Sequence, residues 1–185
     1  RTGMSFALGL TGSIGMGKST TTRIFAEEGC AIWDADAAVH RLYDIGGAAV
    51  DQVALLFPQA VVNGRVDRGQ LREIIADDES ALPRREAIVH PLVAADGETY
   101  RAAAQSDGVV FVIPLLFEAG GDAGMDAVAC VWIDADTQRR RVLERGTMTV
   151  EQFTQILQKQ MPIEEKMARA DYLIQTDTPD HAAEQ

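Results

Sequence analysis

A glycine-rich segment near the beginning of the chain has the residue types and spacing that phosphate chemistry requires. Residues 12–19 contain a glycine, four further residues, a second glycine, a lysine and a serine. An apolar run precedes this segment and a stretch with helical periodicity follows it, so we expect a strand before the loop and a helix after it. Backbone N–H groups in such a turn can surround phosphate oxygens, and the helix start adds unpaired amides and a positive dipole end. The segment therefore predicts a site for ATP or GTP.

Two residues of this segment have side chains suited to separate tasks. Lys18 can bring a mobile positive charge to the β and γ phosphates. The Ser19 hydroxyl can coordinate Mg²⁺, which offsets the charge that moves during phosphoryl transfer. The predicted nucleotide-binding residues of the segment are Gly12, Ser13, Ile14, Gly15, Met16, Gly17, Lys18, Ser19 and Thr20. The motif predicts the nucleotide, but it does not predict which molecule accepts the phosphate.

Acidic residues follow three of the predicted strands, and the carboxyl ends of parallel strands line the ligand crevice of such folds. Asp34 and Asp36 come after the second strand, where they could serve a Mg²⁺-bound water and a substrate hydroxyl. Capping of the next helix by Asp36 stays an alternative. Asp134 and Asp136 precede a helix start, so capping explains them well. Glu118 could cap a helix or form a structural pair, or it could contact a ligand.

Four arginines gather in one short segment, although the chain as a whole is acidic. The formal net charge is −11, which argues against a general nucleic-acid binder because such proteins cluster lysine and arginine. A local group of arginines could still bind an anionic ligand, and a solvated helix face is the alternative. The clustered residues are Arg139, Arg140, Arg141 and Arg145.

Strands and helices alternate along the chain, which predicts an α/β fold with a parallel sheet of about five strands. A mostly helical block at 46–105 interrupts the alternation, and His90-Pro91 should break its helices. Thr149 is placed to cap one of the later helices. The predicted strands are 5–11, 30–33, 109–113, 127–133 and 172–174, and the clearest helices outside the block are 18–28, 137–145 and 150–161.

Composition excludes several classes of protein. Charged residues make up 24% of the 185 residues and hydrophobic residues 46%, which is typical of a globular chain. No apolar run approaches the roughly 20 residues that cross a bilayer, and residues 1–4 lack the apolar core of a secretion signal. We therefore expect a cytoplasmic protein. Cys30 and Cys130 lie in apolar strand-like stretches and should be buried free thiols.

These motifs together resemble the dephospho-CoA kinase family, and the similarity runs from about residue 6 to residue 174. The glycine-rich loop alone is shared by many ATPases, whereas the aspartate pair combined with the segment after the third strand is more specific. The residues that carry the resemblance are 11–20, Asp34-Ala35-Asp36, His90-Pro91, Pro114-Leu115-Leu116-Phe117-Glu118, and Arg141 with Arg145.

The resemblance implies an activity and an architecture. The activity is ATP-dependent phosphorylation of the ribose 3′-hydroxyl of dephospho-CoA, the last step of coenzyme A biosynthesis. The architecture is a single P-loop kinase domain over 4–185 with a three-layer α/β/α arrangement. Its core would be about 4–50, 106–135 and 170–185, with a helical substrate-binding region at about 51–105 and a lid at about 136–169.

The resemblance also implies roles for individual residues. Lys18 and Ser19 would hold phosphates and metal, with Asp34 as a further metal residue. Asp36 would be the catalytic base, and Arg145 would reach over the phosphates from the lid, with Arg141 also contacting the nucleotide. The implied ligands are ATP, dephospho-CoA and Mg²⁺, with no nucleic acid, membrane or obligate protein partner.

The sequence departs from the family in two places. The family tends to have asparagine, one residue and glycine after the last strand, whereas this chain has Gln-Thr-Asp-Thr at 175–178. The family's contacts near the adenine therefore cannot be assigned to residues of this chain. Ser13 stands where a second glycine is common, and the loop should accept it if its φ angle is negative.

Two other functions remain as alternatives. The first is another small-molecule kinase of the nucleoside-monophosphate or shikimate type, since its P-loop and lid arginines would look alike. The second is a nucleotide switch without catalysis. Nothing in the sequence resembles the asparagine-lysine-x-aspartate signature by which GTPase switches bind guanine.

Overall fold

The computed structural model describes residues 3–185. The chain divides into two compact units, of which the first comprises the residues up to 33 together with 104–185, and the second comprises 34–103. The strands are β1 (Phe6–Thr11), β2 (Ala31–Asp34), β3 (Val61–Val62), β4 (Arg65–Val66), β5 (Gly108–Val112), β6 (Ala127–Trp132) and β7 (Tyr172–Gln175). The helices are α1 (Lys18–Glu27), α2 (Ala35–Tyr43), α3 (Val50–Leu56), α4 (Arg68–Asp77), α5 (Ala81–Ala103), α6 (Ala135–Glu144), α7 (Val150–Lys159), α8 (Ile163–Arg169) and α9 (Pro179–Glu184).

A five-stranded sheet with the order β2-β5-β1-β6-β7 forms the framework of the first unit. The pairs β1–β5, β1–β6 and β6–β7 are parallel. Strands β5 and β6 are buried along most of their length because the sheet is covered on both faces, which matches their continuous apolar sequences. The predicted three-layer α/β/α fold with a parallel five-stranded sheet is confirmed.

Side chains that alternate along the central strands enter two separate apolar clusters. Leu10 and Val131 belong to the cluster that Ile24 of α1 also joins. Val128 points to the opposite face, where it packs with Leu116 and a few neighbours. Because β1 lies in the middle of the sheet, the loop that follows it begins at the centre of the carboxyl edge.

The second unit is mainly helical and has a core of its own. Helices α2, α3, α4 and α5 enclose apolar residues that include Val53, Leu71 and Ile88. Strands β3 and β4 form a short antiparallel hairpin. Its turn uses Asn63 with φ 53° and Gly64 with φ 79°, the positive values that a two-residue hairpin turn requires. The absence of a long strand from this block agrees with the sequence prediction.

The predicted break at His90-Pro91 is wrong. Helix α5 runs without interruption from Ala81 to Ala103 and contains Pro91. Proline removes one backbone hydrogen bond, but Val89 on one side and Val93 on the other pack into the same apolar core and hold both halves of the helix. His90 is therefore an exposed helical residue and not a turn residue. Within 3–185, no helix is both long and apolar enough to cross a membrane.

Candidate active site

The loop between β1 and α1 depends on glycines for its shape. Gly15 has φ 72° and Gly17 has φ 92°, a region that side chains disfavour. A Cβ atom on Gly17 would lie 2.8 Å from the Cβ of Thr176, so the loop also passes close to its neighbours. Ser13 is not among the described residues with positive φ, which confirms the expectation that serine is accepted there.

The first turn of α1 has no side-chain cap and borders a cavity. Its N-cap is Gly17, so no side chain accepts a hydrogen bond from the N–H groups of this turn, and no acidic residue lies within the turn. The adjoining cavity has a volume of about 280 Å³. It is lined by Ile14, Gly15, Met16, Gly17, Lys18, Ser19, Thr20, Pro114, Arg145 and Gln160. Uncapped amides and a positive dipole end make this cavity suitable for phosphate.

Two cationic side chains adjoin this cavity. The Lys18 Nζ donates hydrogen bonds to the carbonyl oxygens of Gly12, at 2.7 Å, and Ser13, at 3.0 Å. Arg145 is the C-cap of helix α6 and is exposed, and its side chain has no hydrogen bond or ion pair to another residue in 3–185. The structure thus brings Lys18, Ser19 and Arg145 to one cavity, as a phosphoryl-transfer site requires.

A second cavity of about 260 Å³ shares Gly17, Thr20 and Arg145 with the first. Its other lining residues are Arg141, Thr176, Thr178, Pro179 and Ala182. The predicted arginine cluster separates here, because Arg141 and Arg145 line the cavity whereas Arg139 and Arg140 are exposed and do not.

Thr176 connects the end of β7 to the glycine-rich loop. Its hydroxyl donates to the Met16 carbonyl oxygen at 2.6 Å, and its own carbonyl accepts from Arg141 Nη2 at 2.6 Å. The side chain is 7% exposed. The residues that replace the family's asparagine-x-glycine pattern therefore support the loop and hold Arg141 beside it. Sequence reasoning noticed the departure at this position but did not foresee these contacts.

Two glutamines, which sequence reasoning missed, hold the peptide groups on either side of Ile14. Gln138 of α6 is buried and donates to the Ile14 carbonyl oxygen at 2.8 Å. Gln160, the C-cap of α7, accepts from the Ile14 N–H at 3.2 Å. Glutamine is common on helices, and no local pattern around either position signals this role.

Glu118 forms an ion pair with a buried lysine. Its Oε2 lies 3.2 Å from the Lys166 Nζ and accepts a hydrogen bond from the Met161 N–H at 3.1 Å. Lys166 is fully buried and also donates to the Pro114 carbonyl oxygen at 2.9 Å. Of the two interpretations left open from the sequence, the structure supports the structural pair.

Burial raises the pKa of the nearby Cys130 thiol to about 11, and the charges of Lys166 and Lys18 oppose that rise.

The predicted acidic residues fall into two groups. Asp134 is the N-cap of α6, and hydrogen bonds from the Thr137 N–H and hydroxyl hold the pKa of its carboxyl below the usual value. Asp34 and Asp36 lie in the second unit. Asp34 is the N-cap of α2 and accepts from the Ala37 N–H at 2.9 Å. Asp36 lies in the first turn, exposed and without a partner among the described residues, so the cap is Asp34 and not Asp36.

The residues present fit a magnesium ion that is bound mainly through water and phosphate. No group of three or more His, Cys, Asp or Glu residues within 3–185 could form an all-protein metal site. Mg²⁺ commonly takes one or two protein ligands and keeps its remaining positions for water and substrate phosphates. The exposed Ser19 hydroxyl, beside Lys18 in the phosphate cavity, has the donor type that this mode needs.

A glycine-rich loop between a central parallel strand and a helix, with Lys18, Ser19 and Arg145 around one phosphate-sized cavity, defines the class of P-loop kinases. A family model described as dephospho-CoA kinase matches residues 6–181. The dephospho-CoA kinase of Ruegeria pomeroyi is 63% identical over 182 residues, which cover 98% of this chain and 92% of that protein. The chain belongs to the dephospho-CoA kinase family.

Two solved structures have the same fold, and the second of them is named a dephospho-CoA kinase. TT1252 from Thermus thermophilus superposes with a TM-score of 0.89 at 31% identity, covering 98% of this chain and 94% of that chain. Dephospho-CoA kinase from Campylobacter jejuni gives a TM-score of 0.71 at 25% identity, with 98% and 95% covered. The family assignment confirms the predicted enzyme class, an ATP-using kinase. It favours dephospho-CoA kinase activity over another small-molecule kinase and over a non-catalytic switch.

Proposed function

We propose that this chain transfers the γ-phosphoryl group of ATP to the ribose 3′-hydroxyl of dephospho-CoA, giving coenzyme A and ADP. The observation that carries the proposal is the family match over 6–181, a range that includes the phosphate cavity with Lys18, Ser19 and Arg145. The amides at the start of α1 and Lys18 bind the phosphates of ATP, and Arg145 stabilises charge that develops during transfer. The adenine lies toward Thr176 and Arg141, in the second cavity.

Asp36 acts on the acceptor hydroxyl in this proposal. Its carboxylate is exposed and is not used as a helix cap, because Asp34 takes that role. A carboxylate can orient a hydroxyl toward the γ-phosphate and accept its proton as the new bond forms. Phosphoryl transfer commonly has a loose transition state, so orientation supplies a large part of the effect.

Magnesium assists through Ser19 and Asp34 in this proposal. The Ser19 hydroxyl would be a ligand of the ion, and the Asp34 carboxylate would serve it through water. When bound, Mg²⁺ neutralises charge on the transferring phosphate. We also propose a substrate-binding region at about 51–105, a lid at about 136–169, and a cytoplasmic location.

An ADP-release assay with a panel of acceptors tests the proposed substrate. We expect turnover with dephospho-CoA and none with nucleoside monophosphates or shikimate. Turnover with a nucleoside monophosphate in place of dephospho-CoA would contradict the proposal. Nucleotide binding without turnover on any acceptor would indicate a switch.

Variants of the two aspartates test their separate roles. We expect Asp36→Asn to lower turnover by roughly 10²- to 10⁴-fold, the usual range for a general base. Raising the Mg²⁺ concentration should partly restore the turnover of Asp34→Asn but not that of Asp36→Asn. Asp122→Asn, which changes an exposed aspartate in the first turn of the short 3-10 helix Gly121–Gly124, is a matched control and should keep normal turnover, because Asp122 lines neither cavity. Near-normal turnover of Asp36→Asn, with Asp34→Asn inactive at every Mg²⁺ concentration, would reverse the two assignments.

A further inference from the structure

Gln160 lies where a side chain can contact the terminal phosphate of the nucleotide. It lines the cavity that contains Lys18 and Ser19, and it does not line the second cavity near Thr176. Lys18 of this motif serves the β and γ phosphates. Gln160 therefore lies on the side of the site where the phosphoryl group is transferred.

The contact with Ile14 determines which way the Gln160 carboxamide faces. A backbone N–H can only donate, so the atom 3.2 Å from the Ile14 nitrogen must be the carboxamide oxygen. The NH₂ group is then the end of the carboxamide that does not contact Ile14. It has no hydrogen-bond partner among residues 3–185, although the side chain is half-buried at the cavity wall. Two N–H donors are thus available to an oxygen in the cavity.

The backbone beside Gln160 is held by the Glu118–Lys166 ion pair described above. Met161, the next residue, donates its N–H to Glu118, and Glu118 is paired with the fully buried Lys166. Lys166 also binds the carbonyl oxygen of Pro114, which lines the same cavity. A buried ammonium with two such partners fixes the relative positions of these segments, because any displacement leaves a charge unpaired.

We propose that Gln160 is a further residue of the phosphoryl-transfer site, which donates hydrogen bonds to the terminal phosphate of ATP, and that the Glu118–Lys166 pair is the element that positions it. The proposal rests on the proposed binding of ATP at the glycine-rich loop. Ile14 sets the orientation of the carboxamide, and Glu118 sets the backbone that carries it. Donors placed in advance at developing negative charge require no reorganisation during the reaction.

The test compares Gln160→Glu with Gln158→Glu. Glutamate at 160 can still accept from the Ile14 N–H, but it cannot donate and it brings negative charge to the cavity. Gln158 is an exposed glutamine on the same helix and lines neither cavity, so its variant makes the same change of charge outside the site. The measurements are kcat with dephospho-CoA, and the Kd values for ADP and for the non-hydrolysable ATP analogue AMP-PNP by titration calorimetry.

For Gln160→Glu we expect kcat to fall by roughly 10²- to 10³-fold, the usual cost of removing one such donor. The Kd for AMP-PNP should rise at least about 10-fold more than the Kd for ADP, since a single lost charge-assisted contact is worth about 1.4 kcal/mol or more. Gln158→Glu should match the wild type in all three values. A purely structural role would raise both Kd values equally, and that result, or unchanged kinetics, would overturn the proposal.

Glu118→Gln tests the positioning step. Its carboxamide oxygen can still accept from the Met161 N–H, but the charge that holds Lys166 is lost. We expect a smaller fall in kcat with little change in the Kd for ADP, and a combined effect with Gln160→Glu that is smaller than the product of the two, because both act through one contact. Independent effects would overturn the positioning role. If the wild type binds both nucleotides but does not phosphorylate dephospho-CoA, the proposed function fails, whereas the comparison of AMP-PNP with ADP still decides the role of Gln160.

Discussion

Replacing Lys166 with methionine tests the ion pair between this buried lysine and Glu118. Methionine keeps most of the apolar stem but removes the ammonium group, which contacts Glu118 at 3.2 Å and the Pro114 carbonyl oxygen at 2.9 Å. Pro114 keeps a second donor, because the Thr11 hydroxyl also binds its carbonyl oxygen at 3.1 Å. The main loss is therefore the charge that compensates Glu118.

The size of the effect follows from how deeply each partner is buried. Removing one partner of a buried pair commonly costs about 3–5 kcal/mol, because the remaining charge has no compensation. The side chain of Lys166 is 0% exposed and that of Glu118 is 19% exposed, so water reaches the remaining carboxylate in part. We therefore expect a loss near the lower end, about 3 kcal/mol. For a chain of this size, that corresponds to a fall in Tm of about 6–12 °C.

Urea denaturation followed by circular dichroism measures this loss, and a double variant is its internal control. Lys166→Met combined with Glu118→Gln removes both charges and keeps an acceptor for the Met161 N–H. Its stability should return to within about 1.5 kcal/mol of the wild type, since a neutral pair carries no uncompensated charge. A double variant no more stable than Lys166→Met alone, or a single variant as stable as the wild type, would refute the reasoning.

Three further outcomes are expected. Lys18→Met should fold normally and lose nearly all turnover, whereas Lys159→Met, an exposed lysine on α7, should keep it; full activity of the first would contradict the phosphate site. Arg145→Ala should lower kcat more than it raises the KM for ATP, and a rise in KM alone would make Arg145 a simple binding group. In the folded protein at pH 8, iodoacetamide should leave Cys130 unlabelled, because burial raises its pKa to about 11 and only the thiolate reacts. Labelling of Cys130 in urea, measured by mass spectrometry, is the control, and rapid labelling of the folded protein would contradict this prediction.

Local sequence signals predicted the parts of the site that depend on local structure. The glycine spacing, the preceding apolar run and the following helical periodicity identify the phosphate loop, because each acts within a few residues. Caps are similarly local, and the predicted cap at Thr149 is confirmed by a full capping box. The same reasoning offered Asp36 as an alternative cap of α2, and this alternative is wrong because the cap is Asp34. The two residues have the same side chain and lie only two positions apart, so the sequence does not distinguish them.

Contacts between distant segments could not be predicted in this way. Gln138 and Gln160 bind Ile14 across 124 and 146 residues of chain, and nothing near either glutamine indicates the partner. Lysine is rarely buried, and nothing in the sequence indicates that Lys166 is fully buried with its charge compensated by Glu118 and a backbone carbonyl. Helix α5 continues through Pro91 for the same kind of reason, since packing on both sides outweighs the local effect of proline.

The position of the transferred phosphate tests the central claim most directly. The wild-type chain is incubated with ATP, Mg²⁺ and dephospho-CoA, and ³¹P NMR follows the products, with Lys18→Met as the inactive control. The account predicts a new phosphomonoester resonance on the ribose 3′-oxygen, appearing in step with ADP and absent from the control. Release of ADP with inorganic phosphate alone, or a phosphate on any other position of the acceptor, would contradict it.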